Sequence, residues 1–372
     1  MELREYSGVI HLHSDYSDGH LGVEEIIRLS LEAGLDYLFL TDHDTLAARR
    51  DGWDGWYTLD DGRIRRLERG AEAGRRLLLL VGDEVTPDRN HYLALGYEGP
   101  EELFKLAPQR VIDRVAAAGG VGVIAHPDHR GNERFGIGCY AWDDWSVRGF
   151  DLVDLWDLMT DWQDHLRGLA SALRAVISPV WVLKGPKRRS LRRWDERLRA
   201  GPAPVVGCND NHGRPYNLLL FTLTLLPYPL ALRTIHTHVL CEPLEELDWR
   251  RAEAALLEAL VAGRSFIAQD YWWDARGLSC WAENPTGGRL DLGGTASFED
   301  GPWTLRLELP AAARVDLVGD GELLLRRRTR CVTFTVVQPG AYRFEVWRRR
   351  FGVPKPWVFT NALRLVPRDK MQ

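Results

Sequence analysis

The chain has 372 residues, of which 45% are hydrophobic and 27% charged, and its formal net charge is −5. This length can hold one barrel-sized domain and a smaller one, and the composition is that of an ordinary globular protein. The negative charge excludes a global basic field of the kind that attracts nucleic acid or an anionic membrane.

The sequence gives no sign of a membrane segment or of an oxidising compartment. Its most apolar stretch, residues 218–232, is shorter than the roughly 20 residues of a spanning helix and is interrupted by Pro227 and Pro229. The first residues lack the charged and apolar regions of a signal peptide. The five cysteines are scattered and form no C-x-x-C pair. We therefore expect reduced thiols and a cytoplasmic location.

Short apolar runs alternate with helical patterns up to about residue 270. One helical pattern spans residues 23–34 and ends at a glycine, and another begins near Pro108 and ends at Gly119-Gly120. The apolar runs, which we interpret as strands, lie at 9–10, 37–40, 77–81, 92–95, 121–125, 152–155 and 204–208. Alternation of strand and helix predicts an α/β fold with a parallel sheet, and this length favours a closed barrel.

The pattern changes after a boundary that we place between residues 270 and 290. Alternating strands then follow one another without a helical pattern, at 303–309, 314–319, 331–337, 341–347 and 361–366. Period-two alternation at this spacing predicts a small antiparallel β-sandwich of the immunoglobulin-like kind. We therefore expect a barrel over residues 1–280 and an accessory sandwich over residues 285–372.

Side chains of the types that can bind metal ions lie at the ends of five of the predicted strands. They are His11, His13 and Asp18; Asp42, His43 and Asp44; Asp83, Glu84 and His91; His126, Asp128 and His129; and Asp210 and His212. Because the C-terminal ends of parallel barrel strands meet at one mouth, we expect these side chains to be neighbours. Mixed nitrogen and oxygen donors favour zinc, manganese or iron over calcium.

The spacing of two histidines around one residue is a weak signal by itself. His236 and His238 repeat it away from the strand-end pattern. We interpret these two, with His20 and His165, as structural or surface residues.

Five stretches together resemble the PHP (polymerase and histidinol phosphatase) family: "HLHSDYSDG", "GLDYLFLTDHDT", "VGDEV", "GVIAHP" and "GCNDNH", within residues 7–213. "LLEALVAGRSFIA" is similar to that family's closing helix, and the C-terminal strands resemble the β-domain of stand-alone relatives. The resemblance implies a distorted (β/α)7 TIM-like barrel with two or three divalent metal ions. The apolar insertion at 213–240 and the Trp156-Asp157 pair depart from the pattern.

The resemblance also implies a ligand set for each ion. The first ion would be held by His11, His13, Glu84 and Asp210; the second by Glu84, His91 and His126; and the third by Asp18, His43 and His212. Asp42, Asp44 and Asp83 would orient the histidines.

Our first functional hypothesis is phosphoester hydrolysis by a hydroxide that bridges two of the ions through Glu84. His129 or Asp44 would pass a proton to the leaving group, and Arg130, Arg134 and Arg214 would bind the phosphate. The expected partner is a small phosphomonoester or nucleotide, rather than a nucleic acid or a membrane.

Two other hypotheses use the same residues differently. The same hydroxide would also attack a carbonyl carbon, giving an amide, ester or carbamate hydrolase, and an apolar wall would favour that substrate. The insertion and the tryptophans at 53, 56, 142 and 145 are candidates for the wall. A binding protein that merely keeps the fold is disfavoured by the intact ligand set. The oligomeric state is left open.

Overall fold

Strands and helices alternate over the first 270 residues, which confirms the predicted α/β fold. The computed structural model describes residues 3–217 and 222–371. Its strands up to that point are β1 (Arg4–Leu12), β2 (Tyr37–His43), β3 (Gly55–Asp60), β4 (Arg63–Leu67), β5 (Leu77–Val85), β6 (Tyr92–Leu95), β7 (Val121–Ile124), β8 (Leu152–Asp157), β9 (Val205–Cys208), β10 (Pro215–Asn217), β11 (Thr222–Thr224), β12 (Ile235–Cys241) and β13 (Ser265–Gln269). Its helices are α1 (Val23–Ala33), α2 (Ala47–Arg50), α3 (Pro108–Ala117), α4 (Leu158–Gln163), α5 (Leu169–Ile177), α6 (Arg188–Ala200), α7 (Tyr228–Ala231) and α8 (Trp249–Val261).

The two helices that the sequence predicts form where expected and end for the expected reason. Helix α1 buries the apolar face predicted for it, and Gly34 closes it at a φ of 81°. Such a left-handed conformation favours glycine, because a side chain would crowd the backbone. Helix α3 begins at Pro108, a residue whose fixed φ suits the first helical position.

Seven strands form a closed circuit of backbone hydrogen bonds. Strands β1, β2 and β5 are parallel, β6 runs antiparallel to both β5 and β7, and β7, β8 and β9 are parallel. The segment after β9 returns to β1, where the amides of Asn209 and Asp210 donate to the carbonyls of Ile10 (3.0 Å) and His11 (2.9 Å). We call this circuit the strand ring. Except for β6, its strands all point the same way, so their C-terminal ends share one mouth.

The strands of the ring are buried on both faces. Along β2, Leu38 and Leu40 pack into the apolar cluster of α1 and α3, whereas Phe39 packs with α8 on the other side. Burial on both faces explains why these strands read as continuous apolar runs.

Several elements were not predicted from the sequence. Strands β3 and β4 form an antiparallel hairpin whose turn is Asp61-Gly62, both with positive φ. Asp-Gly is a recognised signal for such a turn. Strand β12 pairs antiparallel with β1 and with β13. The 213–240 insertion contributes β10, β11, α7 and β12, and part of its apolar stretch, residues 218–221, lies outside the described residues.

The C-terminal part consists of strands packed mostly antiparallel. They are β14 (Ser279–Glu283), β15 (Arg289–Asp291), β16 (Thr295–Ser297), β17 (Thr304–Gly319), β18 (Glu322–Thr335), β19 (Gly340–Arg350), β20 (Val353–Thr360) and β21 (Leu363–Val366). The two strands predicted at 303–309 and 314–319 are one continuous strand, β17. Antiparallel pairing of β13 with β20 links these strands to the ring through β12.

Two further expectations concern thiols and membrane segments. All five cysteines lie in the described ranges, and none of them is in a disulfide. Within those ranges, no helix combines the length and apolarity that crossing a bilayer requires.

One buried side chain ties the C-terminal strands to the ring. The Asn361 Oδ1 accepts from the amide of Val205 (2.9 Å), and its Nδ2 donates to the carbonyls of Val205 (3.0 Å) and Ser265 (3.1 Å). The side chain therefore joins β9, β13 and the segment between β20 and β21. Because it is buried, water cannot replace these hydrogen bonds.

We expect Asn361→Ala to lower the free energy of unfolding by about 2–4 kcal/mol, since it leaves buried backbone groups without partners. Urea unfolding of the variant and of the wild type measures the change. The exposed Gln338→Ala provides an amide control and should stay within about 0.5 kcal/mol of the wild type. An equally small effect for Asn361→Ala would contradict this account.

Candidate metal centre

The strand ring brings all nine predicted ligands to one mouth. They are His11 and His13 at the end of β1, Asp18 in the following loop, His43 at the end of β2, Glu84 in β5, His91 before β6, His126 after β7, and Asp210 and His212 after β9. Strand β6 is antiparallel, so its first residue faces the same mouth as the last residues of its neighbours.

Glu84 lies at the centre of this set. Its Oε2 is 2.9 Å from His43 Nδ1, 3.1 Å from His11 Nε2 and 3.3 Å from His13 Nε2. Its Oε1 is 3.0 Å from both His91 Nδ1 and His126 Nε2. One fully buried carboxylate therefore faces five imidazoles.

The donor atoms fall into three overlapping clusters. They are His11, His13, Glu84 and Asp210; Glu84, His91 and His126; and His13, Asp18, His43 and His212. Each matches a ligand group implied by the family resemblance. The third cluster also includes His13, which the family resemblance assigns to the first cluster alone. Glu84 and His13 thus each belong to two clusters.

The backbone adopts an unusual conformation at three of these residues. His11, His126 and Asp210 have positive φ angles of 71°, 24° and 49°. The pairing of β1 with β2 also shifts register between Val9 and Leu12, around His11. Residues other than glycine adopt such angles only where the surrounding structure holds them, and such strain is frequent at functional sites.

The clustered atoms are suited to divalent cations. The buried atoms His11 Nε2, His13 Nε2, Glu84 Oε2 and Asp18 Oδ1 have no hydrogen-bond partner, although ligand atoms of neighbouring residues lie about them at 2.9–3.5 Å. Buried polar atoms are normally hydrogen-bonded. Nitrogen and oxygen atoms that face one another without sharing a hydrogen fit a site in which cations lie between them.

The pKa values of the cluster reflect the same need for positive charge. Burial lowers the pKa of His13 to about 3 and that of His126 to about 4, so both imidazoles are neutral and can donate a lone pair. Burial also opposes protonation of His43, but the carboxylates of Glu84 and Asp18 raise its pKa to about 11. These carboxylates attract a proton where a metal cation would otherwise balance them.

Neighbouring groups orient the ligands. Arg214 forms an ion pair with Asp18 Oδ2, which leaves Asp18 Oδ1 facing His43 and His212. The Nδ1 of His212 lies 3.0 Å from the carbonyl oxygen of Asp210 and donates to it, so the lone pair of its Nε2 points into the cluster. This arrangement is typical of metal-bound histidine.

The aspartates expected to orient histidines bind loop groups. Asp42 accepts from the amide of Ser14 (2.7 Å) and from the hydroxyl of Ser17 (2.6 Å), so it fixes the turn that carries Asp18. Asp83 and Asp44 accept from the amides of Thr45 (3.1 Å) and Thr86 (2.9 Å). Their contacts position the backbone around the ligands.

The two candidate proton donors occupy different positions. His129 lines the cavity described below, where its Nε2 is 2.7 Å from Gln163 Oε1. Asp44 binds Thr86 through both carboxylate oxygens and is not among the lining residues.

Two buried carboxylates on β8 adjoin the site, of which the sequence analysis noted Asp157 only as a departure from the family pattern and did not name Asp154. Asp154 accepts from the amide of His126 (3.1 Å), and Asp157 caps α4 through the amide of Thr160 (2.6 Å). Burial raises the pKa of both carboxyl groups well above the usual range. The signal was present in "VDLWD", where two acidic residues interrupt a buried strand.

A cavity of about 770 Å³ opens above the clusters. Its polar floor consists of metal-centre residues, including Glu84, His91 and His126. Its lining also includes an apolar set, which we call the apolar wall and which comes from the segment after β7, from α4 and α5, and from the loop between these helices: Ile137, Tyr140, Met159, Trp162, Leu166 and Val176. The lining therefore combines charged and apolar side chains.

The residues predicted to bind substrate are distributed unevenly. Arg214 lines the cavity, whereas Arg130 is exposed outside its lining and Arg134 donates to the carbonyl of Arg167 (3.2 Å). An apolar wall is present, but none of the tryptophans at 53, 56, 142 and 145 belongs to the described lining. Of the described residues in the 213–240 insertion, Gly213, Arg214 and Leu225 line the cavity, and of these only Leu225 adds an apolar side chain.

Comparisons with solved structures give distant likenesses, of which three follow. No family model and no curated protein matches the chain. A two-domain protein from Bacteroides vulgatus, containing a predicted PHP-like metal-dependent phosphoesterase, is similar at 13% identity and a TM-score of 0.43, covering 97% of this chain and 96% of that chain. A proposed metal-dependent phosphoesterase from Bifidobacterium adolescentis is similar at 16% identity and a TM-score of 0.35, covering 58% and 91%.

An amidohydrolase from Chromobacterium violaceum, with bound sulfate and no metal, is similar at 17% identity and a TM-score of 0.31, covering 66% of this chain and 96% of that chain.

We expect Glu84→Gln to lose at least one bound ion per chain, because it removes the charge that two clusters share. Saturating Mn²⁺, about 100-fold above its Kd, should stabilise the wild type by about 2.7 kcal/mol for each ion that only the folded state binds. The variant should gain less. Elemental analysis and thermal unfolding measure both effects, and the exposed Glu322→Gln is the matched control. Unchanged metal content in Glu84→Gln would contradict the assignment.

Proposed function

We propose that the chain is a PHP-like metal-dependent hydrolase whose substrate is a small phosphomonoester. The proposal is supported chiefly by the three donor clusters that share Glu84 and His13 at the floor of a cavity. Residues 1–280 would form the catalytic unit, a distorted (β/α)7 barrel, and residues 285–372 an accessory sandwich.

The nine ligands would hold two or three ions of manganese, zinc or iron. Bound there, these ions would neutralise charge that develops on the substrate and would lower the pKa of a coordinated water. The residues supply the geometry. Glu84 links two of the clusters, because its two carboxylate oxygens face different histidines. Its Oε2 faces His43, and its Oε1 faces His126.

Three overlapping clusters favour a phosphoryl group over a carbonyl group. A phosphomonoester presents three non-bridging oxygens, and a site with several adjacent positive centres can contact more than one of them. A carbonyl group presents a single oxygen. Arg214 lies at the edge of the same cavity and could add a cation, although its ion pair with Asp18 gives it a positioning function as well.

His129 is the better placed of the two candidate proton donors. It lines the cavity, and its ring centroid is 5.6 Å from that of His126. Asp44 holds Thr86 instead. We therefore assign proton transfer to the leaving group to His129, whose ring Gln163 holds. Because burial lowers its pKa, the neutral imidazole would first take the proton that the attacking water releases and then pass it on.

The apolar wall suggests the nature of the leaving group. Met159, Trp162 and Val176 would contact whatever part of the substrate extends away from the metal-centre floor. An apolar or aromatic leaving group would bury its surface there, which favours binding by roughly 25 cal/mol per Å². A nucleoside or an aryl phosphate fits this description.

A hydrolase acting on an amide, ester or carbamate is the second candidate. The same apolar wall favours it, since such substrates carry less charge than a phosphomonoester. The two candidates share the metal centre and differ in the electrophile.

A substrate panel separates them: aryl and nucleoside phosphomonoesters, phosphodiesters, aryl esters and carbamates, each with Mn²⁺, Zn²⁺ or Fe²⁺. We expect turnover of phosphomonoesters, with kcat lowered at least about 10³-fold in Glu84→Gln, as for the loss of a principal electrostatic group. Turnover of carbonyl substrates alone would replace the phosphoesterase proposal by the second candidate.

Met159→Ala should reduce kcat/KM for an aryl phosphomonoester about 10-fold and leave a methyl or glycerol phosphomonoester nearly unchanged. The reason is that a lost apolar contact is worth about 1–3 kcal/mol to a substrate that makes it. The exposed Met371→Ala is the matched control. Equal losses on large and small substrates would show that the wall does not contact the leaving group.

A further inference from the structure

A second set of metal-binding side chains lies near the other end of β1. His236 and His238 are on β12, Asp270 follows β13, and Ser7 of β1 is paired with His238. Ser7 precedes His11 by four residues, about 13 Å along a strand. The set lies away from the Glu84 clusters and shares no residue with them. The sequence analysis treated its histidines as structural or surface residues.

Four donor atoms of this set converge. The Oδ2 of Asp270 is 2.9 Å from His236 Nδ1 and 2.7 Å from His238 Nε2. The Oγ of Ser7 is 3.1 Å and 3.4 Å from the same two nitrogens. Ligand atoms about 2.0 Å from a tetrahedral zinc ion would be about 3.3 Å apart. The two nitrogens would therefore have to move only a few tenths of an ångström away from Asp270 Oδ2 to hold an ion.

The other nitrogen of each imidazole is bound to an acceptor. His236 Nε2 lies 3.0 Å from the carbonyl oxygen of Leu232, and His238 Nδ1 lies 2.7 Å from Glu5 Oε1. A carbonyl or carboxylate oxygen only accepts, so these nitrogens carry the hydrogens. Carbonyl and carboxylate partners of this kind typically orient metal-bound histidines.

When both imidazoles are neutral, their inward-facing nitrogens carry no proton. In the neutral imidazoles, His236 Nδ1 and His238 Nε2 present lone pairs to Asp270 Oδ2, which is itself an acceptor. Such contacts between acceptors are repulsive unless a cation or added protons lie between them. Ser7 has one hydroxyl hydrogen, which can satisfy only one of the two nitrogens.

Charge and burial favour a divalent cation. Ser7, His236 and His238 are buried, and the Asp270 side chain is nearly so. Asp270 and Glu5 carry two negative charges, which one divalent ion balances while both imidazoles remain neutral. Unbalanced buried charge is unfavourable, so positive charge is needed here, either from a cation or from protonation of His238. Burial opposes that protonation, but Asp270 and Glu5 raise the pKa of His238 to about 9.

We propose that His236, His238, Asp270 and Ser7 form a structural zinc site, separate from the hydrolytic centre. All four donors are protein atoms, as in closed structural sites. The ion would join β1, β12 and β13, and β13 is the strand that pairs with β20 of the C-terminal part. It would therefore stabilise the junction between the strand ring and the C-terminal strands.

Zinc content after reloading metal-free protein with Zn²⁺ alone tests the site. Asp270→Asn should hold one zinc ion fewer per chain than the wild type, whereas Glu84→Gln should keep the ion at this site. The matched control is Asp151→Asn, whose carboxylate accepts from the amide of Gly122 (2.8 Å) away from both sets. Equal zinc content in Asp270→Asn and the wild type would overturn the proposal.

A second measurement needs no variant and covers the case in which Asp270→Asn does not fold. Crystals of the zinc-loaded wild type should give an anomalous scattering peak between His236 Nδ1 and His238 Nε2. Peaks at the mouth of the ring alone would overturn the proposal and leave the set as protonated imidazoles paired with Asp270 and Glu5. Because both experiments locate ions rather than follow a reaction, failure of the hydrolase proposal would not affect them.

Discussion

The constraint on which the site depends is the burial of the Glu84 carboxylate among five imidazoles. A fully buried carboxylate is unfavourable unless positive charge compensates it. Here both of its oxygens face histidine nitrogens at 2.9–3.3 Å, and several of the buried ligand atoms around it have no hydrogen-bond partner. Divalent cations between these atoms would remove the unfavourable contacts. The ring of parallel strands makes the arrangement possible, because it brings ligands from distant parts of the chain to one mouth.

The position of the ligands could be predicted from the sequence because it depends on topology. If a strand is parallel to its neighbours, residues at its C-terminal end lie at the shared mouth, whatever the details of packing. Sharing of His13 between two clusters could not be predicted in this way. It accompanies a register shift around His11 and a positive φ at that residue, neither of which a sequence pattern signals.

Other features depend on contacts between distant segments that leave little trace in one sequence. The apolar wall comes from the segment after β7 and from α4 and α5, which carry no motif. The set around His236 requires the antiparallel register of β1, β12 and β13, and the spacing of its histidines carries no such information. By contrast, two features have local signals in the sequence. Asp154 interrupts the apolar run of β8, and Asp61-Gly62 is a typical hairpin-turn pair.

In the proposed function, the charged floor of the cavity would perform the chemistry, the apolar wall would select the substrate, and a separate polar set would hold the junction with the C-terminal strands. This function requires Glu84 to lie between two cations. The electron paramagnetic resonance spectrum of the Mn²⁺-loaded protein tests this claim most directly. If the Glu84 carboxylate joins two Mn²⁺ ions, the spectrum should be the broad multiline spectrum of exchange-coupled ions. A spectrum containing only the sextet of isolated Mn²⁺ ions, at full metal loading, would contradict it.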